Sequence, residues 1–294
     1  MFDQPSTDQP PAPKPRRPHP LEVPETPISE PSETPPRPRG TLHIRVVKPY
    51  VTYGLMAVNI AIFIFMFYLA TPMQTFDIYR WGASNHIEVF QGGQYHRLIS
   101  AMFLHGSQAH IIFNMLALYS IGTTVERFFG HIRFAIIYIL GGLTGSVLSA
   151  ILNPPLVTSV GASGAVFAIF GAQYVFWYRH RKLFGETAKQ QLRQLVIFAG
   201  MNFAVGILST FNLGEGQVRI DNWGHLGGLL GGLALAWLIS PNLLLERHTE
   251  GEEYRFKAVD ANPLQQHYTN LILFVSGLMA VVVIVTFFAR GGFG

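Results

Sequence analysis

A serine flanked by glycines, Gly161-Ala162-Ser163-Gly164, opens an apolar stretch, and two further apolar stretches carry histidines near their starts, His110 and His225. A serine hydroxyl is a weak nucleophile until a base takes its proton, and imidazole is a common base for that task. The chemistry open to such a pair is acyl transfer or hydrolysis. Gly161 and Gly164 remove side-chain bulk, so another backbone or a substrate carbonyl can approach closely. Ser163 also lies where a helical pattern begins, so free N–H groups and the positive dipole end can receive an oxyanion. His110 and Asn114 are four residues apart and share one helix face. Both can donate to developing negative charge, and one such donor is typically worth ~3 kcal/mol in the transition state.

These residues need a scaffold that brings them together, and the composition says what kind. The chain has 294 residues, 49% hydrophobic and 13% charged, against about 25% charged residues in soluble domains. Apolar runs recur at the ~20-residue length that spans a bilayer as helix. Seven spans are expected, at about 50–70, 107–128, 132–152, 161–178, 192–211, 222–240 and 269–289. A long amphipathic connection at 71–105 holds Trp81, Phe90, His96 and Arg97. The net charge of +4 is no nucleic-acid signal in such a chain, because basic residues mark cytoplasmic loops. There are no cysteines, which excludes disulfides and thiolate chemistry, and no histidine pair has metal-ligand spacing. No cofactor is implied.

The segment 1–44 is read as a disordered cytoplasmic tail, because 13 of the 19 prolines fall within residues 1–41 and so little apolar surface cannot offset ordering entropy. A six-span core follows at 45–240, then a cytoplasmic linker at 241–268 and the seventh span with a short tail at 269–294. Arg37, Arg39, Arg45 and Lys48 precede the first span. Arg179, Arg181, Lys182, Lys189 and Arg193 cluster between the fourth and fifth, while 153–160 holds no basic residue. The positive-inside rule then puts the N-terminus in the cytoplasm and the C-terminus outside.

With that topology, spans two, four and six all enter from the outer face. His110, Ser163 and His225 each lie about one turn in and Asn114 one turn deeper, so at 1.5 Å per residue the four share a layer within ~5–10 Å of the interface. Polar groups at membrane depth default to functional candidates. Gly224, Gly228 and Gly232 form a stripe on the sixth span that permits near backbone contact, with Gly164, Ala168 and Gly171 or Ala172 as the facing surface on the fourth. Phe167 lies one turn below Ser163 and is placed to stack on His225. Asp221, one turn before His225, is either an interfacial acid or a third member that holds the imidazole.

Gly161-Ala162-Ser163-Gly164, His110-x-x-x-Asn114 and Gly224-His225-x-x-Gly228 together resemble the signature set of the rhomboid intramembrane serine proteases. His105, Glu126-Arg127 and Gly130 fit the same pattern, and the resemblance covers roughly 50–240. It implies an all-α polytopic membrane protein with a six-helix bundle, here with one added C-terminal transmembrane helix. It also implies a catalytic dyad of Ser163 as nucleophile and His225 as general base and acid, with His110, Asn114 and the Ser163 backbone N–H as oxyanion donors. Gly161, Gly164, Phe167, Gly224 and Gly228 would support them. The implied partners are transmembrane protein substrates and the lipid bilayer, with no nucleic acid and no oligomeric state specified. Many members carry Trp-Arg in the first external loop, where this chain has His96-Arg97; Arg97 remains able to anchor the loop.

Two other functions compete. Catalytically silent rhomboid-like proteins bind membrane helices, but such relatives typically lack the serine or histidine that this chain keeps. A channel or transporter would need a polar path across the membrane, and the inner halves of spans two, four and six are almost free of titratable side chains.

Overall fold

The computed structural model describes residues 42–44, 46–211, 220–250 and 253–291. The expected tail lies outside the described residues except for its last few. Of these, Leu42–His43 form a short strand, β1.

Eight helices organise the rest. α1 (Tyr50–Leu69) is followed by α2 (Pro72–Gly82), whose start is closed by a reciprocal Thr71–Gln74 capping box, satisfying two donors that a helix start leaves unpaired. The chain then winds through short helical turns to α3 at 108–129, which Ser107 caps and a wider turn at Leu118–Gly122 interrupts. α4 (His131–Leu152), α5 (Ser163–Arg179), α6 (Glu186–Phe211), α7 (Asn222–Ile239) and α8 (Tyr268–Ala289) complete the set. The protein is a polytopic helical membrane protein, in which α1 and α3–α7 form a six-helix bundle and α8 is the added seventh apolar helix. α6 begins six residues before the start expected from hydropathy, because its first turns are polar and lie beyond the apolar run.

Length and hydropathy alone mark α1, α4, α6 and the segment Leu264–Ala289 as spans. The three bundle helices that miss this mark, α3, α5 and α7, carry the candidate site. α5 has only 17 residues, and α7 spends much of its length on glycine, asparagine and histidine. α5 is the central helix, buried over most of its length between α4 and α7. Conversely, α6 and α8 present Val196, Ile197, Met201, Val205, Ile272, Leu273, Val283 and Phe288 to the exterior, as lipid-facing helices should.

Lipid tails are as apolar as leucine, so helices in a bilayer associate through tight packing rather than hydrophobic exclusion. The centre follows this rule. A Cβ added to Gly228 would overlap Gly164, one added to Gly232 would overlap Ala168, and one added to Gly145 would lie 2.7 Å from the Gly224 carbonyl oxygen. The glycine stripe of α7 therefore faces Gly164 and Ala168 of α5 as the spacing predicted. Gly171 meets α7 too, at the backbone of Leu229 and Leu233.

Buried polar groups tie the bundle elsewhere. Glu126 of α3 is fully buried and accepts from the backbone N–H groups of Val51 and Thr52 at 2.8 and 2.7 Å, from Thr52 Oγ1 at 2.6 Å and from His131 Nδ1 at 2.6 Å. It thereby supplies the first turn of α1 with acceptors that the helix itself lacks.

The stretch expected as a linker contains a hairpin. β2 (Leu243–Glu250) pairs antiparallel with β3 (Glu253–Asp260), and β1 joins β3 in parallel, with Leu42 opposite Phe256. The sheet is tied to the bundle at the end opposite Ser163. Arg133 pairs with Asp260 at 2.7 Å, and Asn262 Nδ2 donates to the Leu238 and Ser240 carbonyls at 3.0 and 2.8 Å. Just past α5, His180 holds Nδ1 2.8 Å from the Phe176 carbonyl, while Nε2 accepts the Leu243 N–H at 2.9 Å. Burial pushes the His180 pKa below its ordinary value.

α8 docks against the connection between α2 and α3. Val282 packs with Val89, Phe90 and Leu98 of the connection and with Val147 and Ala150 of α4. Tyr95 donates from its hydroxyl to Thr286 Oγ1 at 3.1 Å, and Arg290 Nε donates to the Phe90 carbonyl at 3.0 Å.

Candidate active site

Ser163 is the first residue of α5, so its own N–H is among those a helix start leaves unpaired. The turn before it depends on Gly161, whose φ of +124° is a conformation open to glycine and strained for other residues. Its N–H donates to the Ala101 carbonyl at 2.8 Å. A side chain at this position would also collide with His110, since a Cβ would lie 2.6 Å from Nε2 and 2.7 Å from Cε1 of that ring, with Asn114 Nδ2 at 3.7 Å. His110 and Asn114 thus converge on the backbone two residues before Ser163. Asn114 is buried, and its amide donates to the His110 carbonyl at 3.1 Å.

His225 lies on the opposite side, one turn into α7. Its ring stacks on Phe167 with centroids 4.4 Å apart and planes 17° from parallel. Phe167 belongs to α5, so the helix that begins with Ser163 also holds the imidazole. The backbone contact between Gly164 and Gly228 sets the two helices together at the same level. Among the described residues, His225 Nδ1 is buried without a hydrogen-bond partner.

Beside Ser163 is a small cavity of about 20 Å³, lined by Ser163, Gly161, Ser146, Ser159, Asp221 and Met102 among others. About 10–15 Å³ is enough for one water with polar partners, and the hydroxyls of Ser146, Ser159 and Ser163 can supply them.

The connection at 83–107 walls the site. Arg97 is buried and donates from Nη1 to the Ala83 carbonyl at 2.7 Å and from Nε to Gln94 Oε1 at 2.8 Å, so it anchors this loop. Trp81 packs against His96 with ring centroids 4.6 Å apart and planes tilted by 31°, and His96 Nε2 lies 3.0 Å from the Trp81 carbonyl. An indole therefore sits beside the His96-Arg97 pair, delivered from α2 rather than from the adjacent position. His105 is buried edge-on to His110 at 5.1 Å, its carbonyl accepting from the Tyr79 hydroxyl. Burial and the neighbouring His110 hold the His105 pKa down at about 4, so it is a neutral brace.

A rhomboid domain model matches residues 92–242, half of the chain and the whole of the region just described from Arg97 to Ile239. The chain belongs to the rhomboid family. It is 36% identical over 189 residues to the rhomboid protease GluP of Bacillus subtilis, covering 64% of this chain and 34% of that one. It is 33% identical over 204 residues to RHOMBOID-like protein 2 of Arabidopsis thaliana, covering 69% and 59%. Against the mitochondrial RHOMBOID-like protein 6 of the same plant it is 34% identical over 174 residues, covering 59% and 52%. This rhomboid chain therefore spans about a third to three-fifths of the length of these relatives.

One residue in this rhomboid fold has a role different from the triad option. The Asp221 carboxylate accepts from the Gly224 N–H at 2.9 Å, from Asn153 Nδ2 at 2.9 Å, and from Ser149 and Ser159 Oγ at 2.5 Å each. Its hydrogen bonds are committed to these four donors and none goes to His225. Ser149, Asn153 and Ser159 were not singled out from the sequence. The only signal for the group is local: an aspartate three residues before Gly224 at a helix start, a pattern suited to N-capping.

Proposed function

We propose that this rhomboid is an intramembrane serine endopeptidase whose dyad is Ser163 and His225. The observation that carries the reading is the stacking of His225 on Phe167, one turn below Ser163 on the same helix, with α5 and α7 in backbone contact at that level. Ser163 Oγ attacks the peptide carbonyl while His225 accepts its proton, so the C–O bond forms as the carbonyl becomes an oxyanion. The Ser163 N–H, His110 and Asn114 receive that charge. His225 then returns the proton to the leaving amine, the C–N bond breaks, and an acyl-enzyme remains. A water enters and gives one proton to His225 as its oxygen bonds to the acyl carbon; His225 then passes that proton to Ser163 Oγ as the ester C–O bond breaks, releasing the new carboxyl terminus and the free serine. The water-sized cavity beside Ser163 supports this last step.

The buried, glycine-lined setting favours an extended segment over an intact helix, whose peptide groups are shielded by their own hydrogen bonds. Membership of the rhomboid family implies a transmembrane protein as substrate, and this setting suits one whose helix is loosened by small or helix-breaking residues near the outer end. The proposed orientation follows the basic loops, with the N-terminus cytoplasmic and the site toward the extracytoplasmic face. Residues 45–240 form the proposed catalytic core. The sequence before it serves as a tail, 241–268 joins the core to the seventh span at 269–294, and no cofactor is required.

The test is covalent labelling of the detergent-purified protein with a fluorophosphonate serine probe, beside cleavage of a reporter with one transmembrane segment. Wild type should label and cleave, and Ser163→Ala and His225→Ala should do neither. Equal labelling of wild type and Ser163→Ala removes the protease reading. A wild type that binds the reporter without labelling or cleaving it is instead a silent rhomboid-like binder.

A further inference from the structure

We infer that Asp221 is a positioning residue that holds the starts of the two helices bearing Ser163 and His225 in one fixed relation. The inference rests on the Ser163–His225 reading above. A helix N-cap needs one acceptor for one N–H, and the Gly224 bond at 2.9 Å fulfils that need. The other three donors do not belong to α7. Ser149 and Asn153 come from the end of α4, and Ser159 comes from the segment leading into α5.

The placement along the chain gives these bonds their meaning. Asp221 is four residues before His225, whose N–H donates to the Asp221 carbonyl at 3.0 Å. Ser159 is four residues before Ser163, and its own backbone pairs with Ser84 in both directions at 3.0 and 2.7 Å. One carboxylate therefore links Asp221, four positions before the proposed base, to Ser159, four positions before the proposed nucleophile. The end of α4 is the common anchor, with Ser149 buried and bonded to Asn153 at 3.0 Å.

Each carboxylate oxygen accepts two hydrogen bonds, which fills the site with donors on every side. An ionised carboxylate is acceptor-only and suits four donors, whereas an amide would turn a donor toward donors. Because His225 Nδ1 has no partner among the described residues, the imidazole is not aimed by Asp221 directly. The ring is aimed by Phe167, and Asp221 sets where the helix carrying it begins. Reaction rates respond steeply to such placement, with about 100-fold lost per 1 Å of error.

Two variants separate this role from simple helix capping. Asp221→Ser keeps a good cap for Gly224 but is too short to reach the other donors. Ser159→Ala leaves the cap and its charge in place and removes only the link toward Ser163. Ser159→Ala should melt close to wild type and Asp221→Ser, which leaves three donors without their acceptor, several degrees lower, while in both, assayed below melting, fluorophosphonate labelling of Ser163 and reporter kcat fall about 10- to 100-fold with KM unchanged. Ser159→Thr, which restores the hydroxyl, should recover most of the loss. Labelling and kcat at the wild-type level in both Asp221→Ser and Ser159→Ala overturn the inference, as does a loss in Ser159→Ala that Ser159→Thr does not restore. If wild type itself fails to label at Ser163, the underlying dyad reading falls instead, so the two failures are distinguishable.

Discussion

Replacing Gly228 with alanine puts one methyl group between the helices that carry Ser163 and His225. A Cβ there would overlap the Gly164 carbonyl oxygen, and would lie 2.8 Å from its carbon and 3.1 Å from Gly164 Cα. All three are backbone atoms, so no rotamer change relieves the overlap. Comfortable carbon–carbon contact begins near ~3.5 Å, so α5 and α7 must part by about 1 Å at this level. Overpacking of this kind costs roughly 1–3 kcal/mol, and a 1 Å error between reacting groups costs about 100-fold in rate. We expect Gly228→Ala to fold, to melt several degrees lower, and to lose about 100-fold in reporter kcat and in fluorophosphonate labelling. Gly277→Ala on α8 is the matched control, because a Cβ there meets no atom within 4 Å, and it should behave as wild type. The assay is reporter cleavage in proteoliposomes alongside thermal unfolding in detergent. Activity of Gly228→Ala within about twofold of wild type, far short of the loss expected for a 1 Å error, would refute the claim that backbone contact sets the distance between base and nucleophile.

Three further outcomes follow from the same structure. Asn114→Ala should lower reporter kcat by about 100- to 1,000-fold with little change in KM, the usual loss for one oxyanion donor; an unchanged kcat removes Asn114 from that role. The docking of the β2–β3 hairpin should weaken on acidification. His180 accepts the Leu243 N–H only as neutral imidazole, and its burial-depressed pKa means that the stability it adds is present above the unfolded value of about 6.5 and lost as pH falls below it. Hydrogen exchange at the Leu243 amide should therefore quicken between pH 7.5 and 5.5 beyond the intrinsic change, and an unaltered protection factor contradicts this. Removing the Arg290 side chain, whose Nε holds the Phe90 carbonyl, should cost ~0.5–1 kcal/mol and speed proteolysis within 91–96. Cleavage at the wild-type rate in Arg290→Ala would mean that the Arg290–Phe90 bond does not restrain this connection.

The helices of the bundle were legible because each is recorded locally. An apolar run of membrane length is a property of consecutive residues, and the expected spans at 132–152 and 222–240 match α4 and α7 to within a residue or two. That His110 and Asn114 come level with the start of the helix bearing Ser163 was equally legible, since helical rise converts residue number into distance. Gly228 and Gly232 could be matched to Gly164 and Ala168 in advance because small residues at spacing four have few other uses in a lipid-embedded helix.

Tertiary structure alone decided how the pieces between helices are used. Pairing Leu42 with Phe256 depends on residues more than two hundred positions apart, and the run at 243–260 is too polar for hydropathy to mark it as more than a linker. Trp81 and His96 meet across a fold of the loop, and α8 finds the Phe90 carbonyl two hundred residues upstream. Asp221 is the sharpest case. Its spacing to His225 allowed either a cap or a triad member, and the choice lay with three donors from other parts of the chain. A carboxylate is satisfied by whichever donors surround it, and that neighbourhood does not exist until the helices have packed. Local periodicity determined which residues lie near the starts of their helices, and close packing of glycine-lined helices decided which of them come together.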